Sequence, residues 1–356
     1  MTRADAPAPG CGRRGERGRS GFLPDRTVHL HPLARCNLAC RHCYSASSPQ
    51  ASAMLGMDRL APALERLRAE GYEVVSLSGG EPLLYPELAA LLDHAKALGF
   101  RVAAVTNGYR VGPRFARLIE RIDAVAVSFD GLAPVHDRVR GAEGAFARGM
   151  AALDWLRAAG RPSAAAYTVS RESFSDIPEF VELAAEKGVR AVQLRPLVMA
   201  GRAVADYAGP ALDEADRSRL WLLAQALDEA WEGAPTIHAD LAHAQAVAAD
   251  RGAWDSALAE GMRPLSDIVN PLVITPDGAL RPFTFDFPSA YDLGRIEDLA
   301  APVRAVPLAV ARIRRLIRAA LDEAGRRDEF IDWFAWLRDL GRAPVSGLKS
   351  GASLSN

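Results

Sequence analysis

The feature that most constrains this chain is a series of short β-type segments, each followed by an amphipathic helical stretch. The segments are Thr27 to Leu33, Glu73 to Ser78, Arg101 to Thr106, Ala124 to Phe129, Ala164 to Val169 and Ala191 to Leu194. Between the first two, Met57 to Glu70 places Leu60, Leu64 and Leu67 at three- and four-residue spacing; Glu87 to Leu98 does the same with Leu88, Leu91, Leu92 and Ala95. Six such units in series require parallel strands, because each helix supplies the crossover. The predicted class is α/β. After about residue 205 the pattern changes to a helix over Asp213 to Trp231, a β-type run Ile268 to Thr275, a Pro276-Asp277-Gly278 turn, a second run Ala279 to Phe285, and arginine-rich helices from Val303 to Leu340. The expected organisation is a flexible arm (1–26), a parallel-strand domain (27–205), an α+β extension (206–341) and a flexible tail (342–356).

Charge narrows the partners. Lys plus Arg number 43 against 44 Asp plus Glu, so the chain offers no general attraction to nucleic acid. It has no apolar run long enough to span a bilayer and no signal-peptide core, so the expectation is a cytoplasmic protein without a membrane partner. Three of the four cysteines fall within eight positions, which points to metal ligation in a reducing compartment rather than to disulfides.

Those three form the strongest motif, Cys36-x3-Cys40-x2-Cys43, directly after the first β-type segment. Three thiolates on one loop can each bind one iron of a cubane [4Fe–4S] cluster and leave the fourth iron open for chemistry. A structural zinc would want four closed ligands, and the fourth would have to come from His42 or from Cys11 in the arm. Other polar motifs sit at C-terminal strand ends, the edge where parallel sheets bind ligands. They are Ser78-Gly79-Gly80-Glu81-Pro82, Thr106-Asn107-Gly108, Ser128-Phe129-Asp130-Gly131, Thr168, and Leu194-Arg195-Pro196-Leu197, with His136-Asp137-x-x-Arg140-Gly141 after the fourth segment. Gly79 and Gly80 allow close backbone approach, and Glu81 can accept from a cationic amine.

With the cysteines in that position, the chain resembles the radical S-adenosylmethionine (radical SAM) superfamily, and the resemblance covers most of residues 27 to 205. It implies a partial (β/α)6 TIM-like barrel, a [4Fe–4S] cluster held by Cys36, Cys40 and Cys43, and SAM cleaved reductively to a 5′-deoxyadenosyl radical that abstracts hydrogen from substrate. The resemblance places His42 against the adenine, with a solvated loop imidazole as the alternative. It places Gly79, Gly80, Glu81 and Pro82 at the methionyl amine, and Thr106, Asn107 and Ser128 near the ribose. Asp130 lies at the ribose or substrate, or caps its own loop; Arg140 reaches the SAM carboxylate, or forms a surface ion pair. Thr168, Arg195 and Leu197 complete the expected cofactor set.

Peptide-modifying members of the superfamily continue into a SPASM or twitch domain with auxiliary clusters. Leu272 to Phe283 resembles the opening hairpin of that domain and Leu293-Gly294-Arg295-Ile296-Glu297-Asp298-Leu299 the phrase after it, but Phe283 stands where a ligand cysteine is expected, and no cysteine follows Cys43. The expectation is a SPASM-like extension without iron that covers substrate, with Phe283, Phe285 and Phe287 filling the vacated space or alternating as an ordinary half-buried strand. The resemblance implies modification or crosslinking of a side chain in a ribosomally made precursor peptide, an external electron donor such as a flavodoxin or ferredoxin, and, since about 26 residues precede the first strand, a separate leader-recognition protein. The alternative is a sugar or nucleoside decarboxylase or dehydrogenase. A redox sensor is disfavoured, because it would need no Gly79-Gly80-Glu81 site.

Overall fold

The computed structural model describes residues 25–342 apart from 208, 232, 262 and 301–306. Residues 1–24 of the expected arm, with Cys11, and 343–356 of the expected tail lie outside the described residues.

All six β-type segments form strands: β1 (Thr27–Leu30), β2 (Val74–Leu77), β3 (Arg101–Thr106), β4 (Ala124–Phe129), β5 (Ser163–Val169) and β6 (Ala191–Pro196). They lie side by side in parallel, in sequence order. The sheet extends past both ends of this set. A seventh parallel strand, β7 (Thr236–Ala239), pairs with β6. The short pair Ala242–His243 (β8) follows, and the turn at Thr275–Gly278 joins β9 (Leu272–Ile274) to β10 (Leu280–Pro282) as an antiparallel hairpin. That hairpin does not stand apart from the barrel: β9 runs parallel to β1, with Val28 opposite Leu272 and Leu30 opposite Ile274. Among the described residues the sheet therefore holds nine strands, and a separate antiparallel pair joins β8 to β11 (Phe330–Ile331).

The register fixes which residues face inward. Val28, Leu30, Val75, Leu77, Val127, Tyr167, Val192 and Leu194 are fully buried in the core shared with the surrounding helices. The alternate positions point to the other face, the barrel lumen. Cross-strand pairing puts Arg281, Val273, His29, Ser76 and Ala103 on it from one edge, then Ala126, Ser128, Ala164 and Ala166, then Gln193, Arg195 and His238. The middle of the lumen wall is thus alanine and serine, which leave space. Its β1, β6 and β7 side carries longer polar side chains.

The helix over Glu214–Ala230 begins at Asp213, whose side chain accepts from Asp216 N in a capping box. Helices Pro307–Ala324 and Trp333–Arg342 close the C-terminal part. No described helix is long and apolar enough to cross a membrane.

Candidate active site

The cysteine loop leaves β1 and is fixed by backbone. Cys36 N donates to Ser48 O at 3.1 Å, and Arg41 N to Val139 O at 2.9 Å. Next to it runs the segment after β2: Gly80 N donates to Leu33 O and Glu81 N to Arg35 O, both at 3.0 Å. A Cβ on Gly80 would lie 2.0 Å from Arg35 O, and Gly79, at φ +100°, would place one 2.9 Å from Leu33 O. The close approach these glycines permit is therefore to the cysteine loop itself. After β6 a third segment clamps the loop from outside. Arg202 Nε donates to Cys40 O at 2.9 Å, its Nη2 to Ser47 O at 2.8 Å, and its backbone N to Cys43 O at 3.0 Å.

Cys36, Cys40, Cys43, His42, Gly79, Gly80, Glu81, Thr106, Asn107, Ser128 and Arg140 line one cleft, so eleven of the sequence-predicted site residues come together. The three thiols are free and partly exposed. Among the described residues no group of three or more His, Cys, Asp or Glu is placed to hold a single ion. Two donors are aimed at Cys36 Sγ, Asn107 Nδ2 at 3.6 Å and Leu38 N at 3.5 Å, and Ser45 Oγ lies 3.4 Å from Cys43 Sγ. Such donors suit thiolates that carry a cluster, so the donor set fits the iron–sulfur group. Burial pushes the Cys36 thiol up and the Cys40 thiol up to about 12, so ligation has to displace protons.

The carboxylates of the cleft are committed to the protein. Glu81 is buried and accepts from Thr106 Oγ1 at 2.8 Å, Asn107 N at 2.9 Å and Leu83 N at 3.2 Å, tying the end of β2 to the end of β3. Burial raises its pKa and those donors oppose the rise. Asp130 accepts from His42 Nε2 and Arg140 Nε, each at 2.6 Å. Burial works against its charge, but the Arg140 guanidinium, with His42 behind it, holds the carboxyl well below the usual range.

This geometry decides several open points. Arg140 is 5 % exposed, so its pair with Asp130 is a buried one and not a surface contact. Asp130 does not cap its loop: Leu132 N donates instead to Asp176 Oδ2 at 3.0 Å. His42 is not a solvated loop imidazole, for its side chain is 14 % exposed and bound to Asp130.

Five expected cofactor residues do not line the cleft. Asp130 lies behind it, buried against His42 and Arg140. Pro82 opens a buried 3-10 turn, Pro82–Leu84. Leu197 packs with Val139, Ala203 and Tyr207. Thr168 and Arg195 are opposite each other on β5 and β6, and Arg195 pairs with Asp240. Six further lining residues were not among the expected site residues: Leu38, Tyr44, Ser47, Ser78, Val105 and Arg202, of which Tyr44, Ser78 and Arg202 fall within motifs the sequence shows.

The three phenylalanines divide. The backbone turns left-handed at Phe283 (φ +65°), so strand alternation stops there. Phe283 stacks on Phe334 and meets Phe287 edge-on in the core. Phe285 goes the other way, stacking on His31 at 4.8 Å and meeting Tyr44 edge-on.

A parallel barrel sheet with three cysteines on the loop after its first strand, facing the Gly-Gly-Glu segment after the second, is the arrangement that the radical SAM resemblance leads one to expect, with a [4Fe–4S] cluster and SAM as the cofactors of that domain. In agreement, residues 30–184 match the model of the Radical SAM superfamily, and the chain carries that domain. It is 34% identical over 181 residues to the AdoMet-dependent heme synthase of Methanosarcina barkeri, covering 50% of this chain and 52% of that protein. It is 36% identical over 167 residues to the mycofactocin maturase MftC of Mycobacterium ulcerans, covering 45% of each. The chain thus spans about half the length of the curated relatives it matches. Among solved structures, native anSMEcpe with bound AdoMet and Cp18Cys peptide shares the fold with a TM-score of 0.61 at 16% identity, over 82% of each chain.

Proposed function

We propose that the chain is a radical SAM maturase that modifies or crosslinks a side chain of a ribosomally made peptide. The observation that carries the reading is the single cleft in which Cys36, Cys40 and Cys43 face Gly79, Gly80, Glu81, Asn107 and Arg140 at the C-terminal edge of the sheet. When bound, the cluster and SAM supply a 5′-deoxyadenosyl radical that takes one hydrogen atom from substrate. The chain's own residues do the rest. Cys36, Cys40 and Cys43 hold the cluster, and Asn107 Nδ2 and Leu38 N donate toward Cys36 Sγ. The backbone at Gly79 and Gly80 forms the floor of the SAM site, Glu81 positions Thr106 and Asn107, and Asp130 positions His42 and Arg140. The hairpin lengthens the barrel wall beside β1, which narrows the side opening through which water could reach the radical.

Similarity to MftC and the fold shared with the peptide complex of anSMEcpe support a peptide substrate. An external flavodoxin- or ferredoxin-type donor, a separate leader-recognition protein and a cytoplasmic setting belong to this reading. The similarity to a heme synthase favours a second one, a small-molecule substrate.

Anaerobically reconstituted protein is expected to carry about four irons and, once reduced, to release 5′-deoxyadenosine from SAM. The triple Cys36→Ala, Cys40→Ala, Cys43→Ala variant is expected to do neither. Zinc without iron in the anaerobic preparation would remove the radical reading. For the substrate, deoxyadenosine release stimulated by a precursor peptide, with a mass change in that peptide, supports the maturase; stimulation by small molecules alone selects the second reading.

A further inference from the structure

We propose that Arg195 anchors a carboxylate of the substrate in the barrel lumen and does not bind the cofactor. The proposal rests on the reading above only in taking the lumen ligand to be the substrate.

Arg195 ends β6 on the lumen face, opposite Thr168. Its side chain is 52% exposed, and among the described residues it pairs through Nε with Asp240 Oδ2 at 3.1 Å. Asp240 is itself fixed by Gln193 Nε2, at 2.8 and 2.9 Å from its two oxygens. The guanidinium therefore has a rigid support at one edge, while its terminal nitrogens donate to no described residue. Arg140, by contrast, is buried and spent on Asp130. Arg195 is also absent from the cleft lined by the cysteines.

What surrounds Arg195 indicates the ligand. Arg195 and His29 share the lumen face of the sheet, and burial together with the Arg195 charge brings the His29 imidazole down to about 4. Burial keeps His31 neutral as well, and the stacked His31–Phe285 pair, with Tyr44 edge-on to both rings, forms an aromatic wall. The guanidinium also acts on the buried carboxyl of Asp332. A planar fork of N–H donors in a lumen that carries an uncharged aromatic pair just past the end of β1 matches a carboxylate attached to an apolar or aromatic group. A chain terminus and an acidic side chain both present that chemistry.

The test uses cluster-loaded enzyme with SAM and three capped dipeptides, titrated by calorimetry. Ac-Gly-Phe with a free carboxylate reports a chain terminus, Ac-Glu-Phe-amide reports a side-chain carboxylate, and Ac-Gly-Phe-amide has neither. At least one carboxylate peptide is expected to bind about tenfold more tightly than the neutral one. Arg195→Gln is expected to erase that preference and Arg195→Lys to retain part of it, with SAM affinity and iron content as in the wild type. Equal binding of the neutral peptide, no binding of any of the three, or loss of SAM affinity in Arg195→Gln would each overturn the assignment. Failure of the radical reading would register separately, as missing iron or missing deoxyadenosine.

Discussion

The two sides of the barrel mouth treat their charges in opposite ways. On the β2–β4 side Glu81, Asp130 and Arg140 are buried and bonded to one another or to backbone, so the wall facing the cysteines is assembled before any ligand arrives. On the β6–β7 side Arg195 is supported at one edge and open at the other. A group that must hold a constant cofactor gains from being fixed in advance, since its ordering cost is met on folding. A group that selects a substrate must keep donors unspent. With Arg195 proposed as the substrate anchor, the contrast would separate a cofactor wall from a substrate wall within one lumen.

The strongest way to break this comparison is Asp130→Asn, which would leave Arg140 buried without its counter-charge at a cost of about 3–5 kcal/mol. Asp130 has a depressed folded-state pKa. Its contribution is therefore present above the unfolded-state value, about 3.9, and is lost as pH falls through the lower folded-state value. Urea unfolding of the reduced chain at pH 7 is expected to show the full deficit, narrowing only in strong acid. Equal stability of variant and wild type at pH 7 would mean the wall is not held by this pair.

A smaller effect is expected from Gly80→Ala, whose Cβ would meet Arg35 O at 2.0 Å. Overpacking of this kind costs about 1–3 kcal/mol, and the strain falls on the cysteine loop. Iron content after reconstitution should drop together with the thermal midpoint. Loss of SAM binding at full iron content would show that the glycine serves the cofactor directly and the loop only incidentally.

The smallest effect belongs to the open wall. Phe285→Leu removes the stack on His31, worth about 0.5–1.5 kcal/mol. Its midpoint should move little and its iron content not at all, while the phenylalanine-bearing probes bind more weakly. A collapse in iron content would erase the distinction between the two walls.

How far the molecule was legible follows from how local each signal is. The cysteine loop is contained in eight consecutive residues, and the six strands announce themselves by alternation, so both could be read directly. β7 was missed because it is four residues long and carries His238 on its lumen face, which breaks an apolar pattern. The pairing of β9 with β1 joins residues far apart in sequence, and nothing in either segment specifies the other. The burial of Arg140 was equally hidden: its place before Gly141 marks a helix end, whereas its partner Asp130 is supplied by the end of β4. Phe283 and Phe285 were grouped by spacing, and the left-handed turn that parts them is a tertiary outcome.

The position of β9 has a consequence for biosynthesis. The strand that launches the cysteine loop is flanked by β2, made shortly after it, and by β9, made only after β7. His31 N, at the root of the loop, donates to Ile274 O at 2.9 Å. A nascent chain that has emerged through β7 therefore exposes the cysteines on an edge strand whose second neighbour has not yet been translated. Long-range pairings of this kind are the slow ones to form. The metal-binding loop, encoded early, acquires its finished framework only when residues 272–274 leave the ribosome.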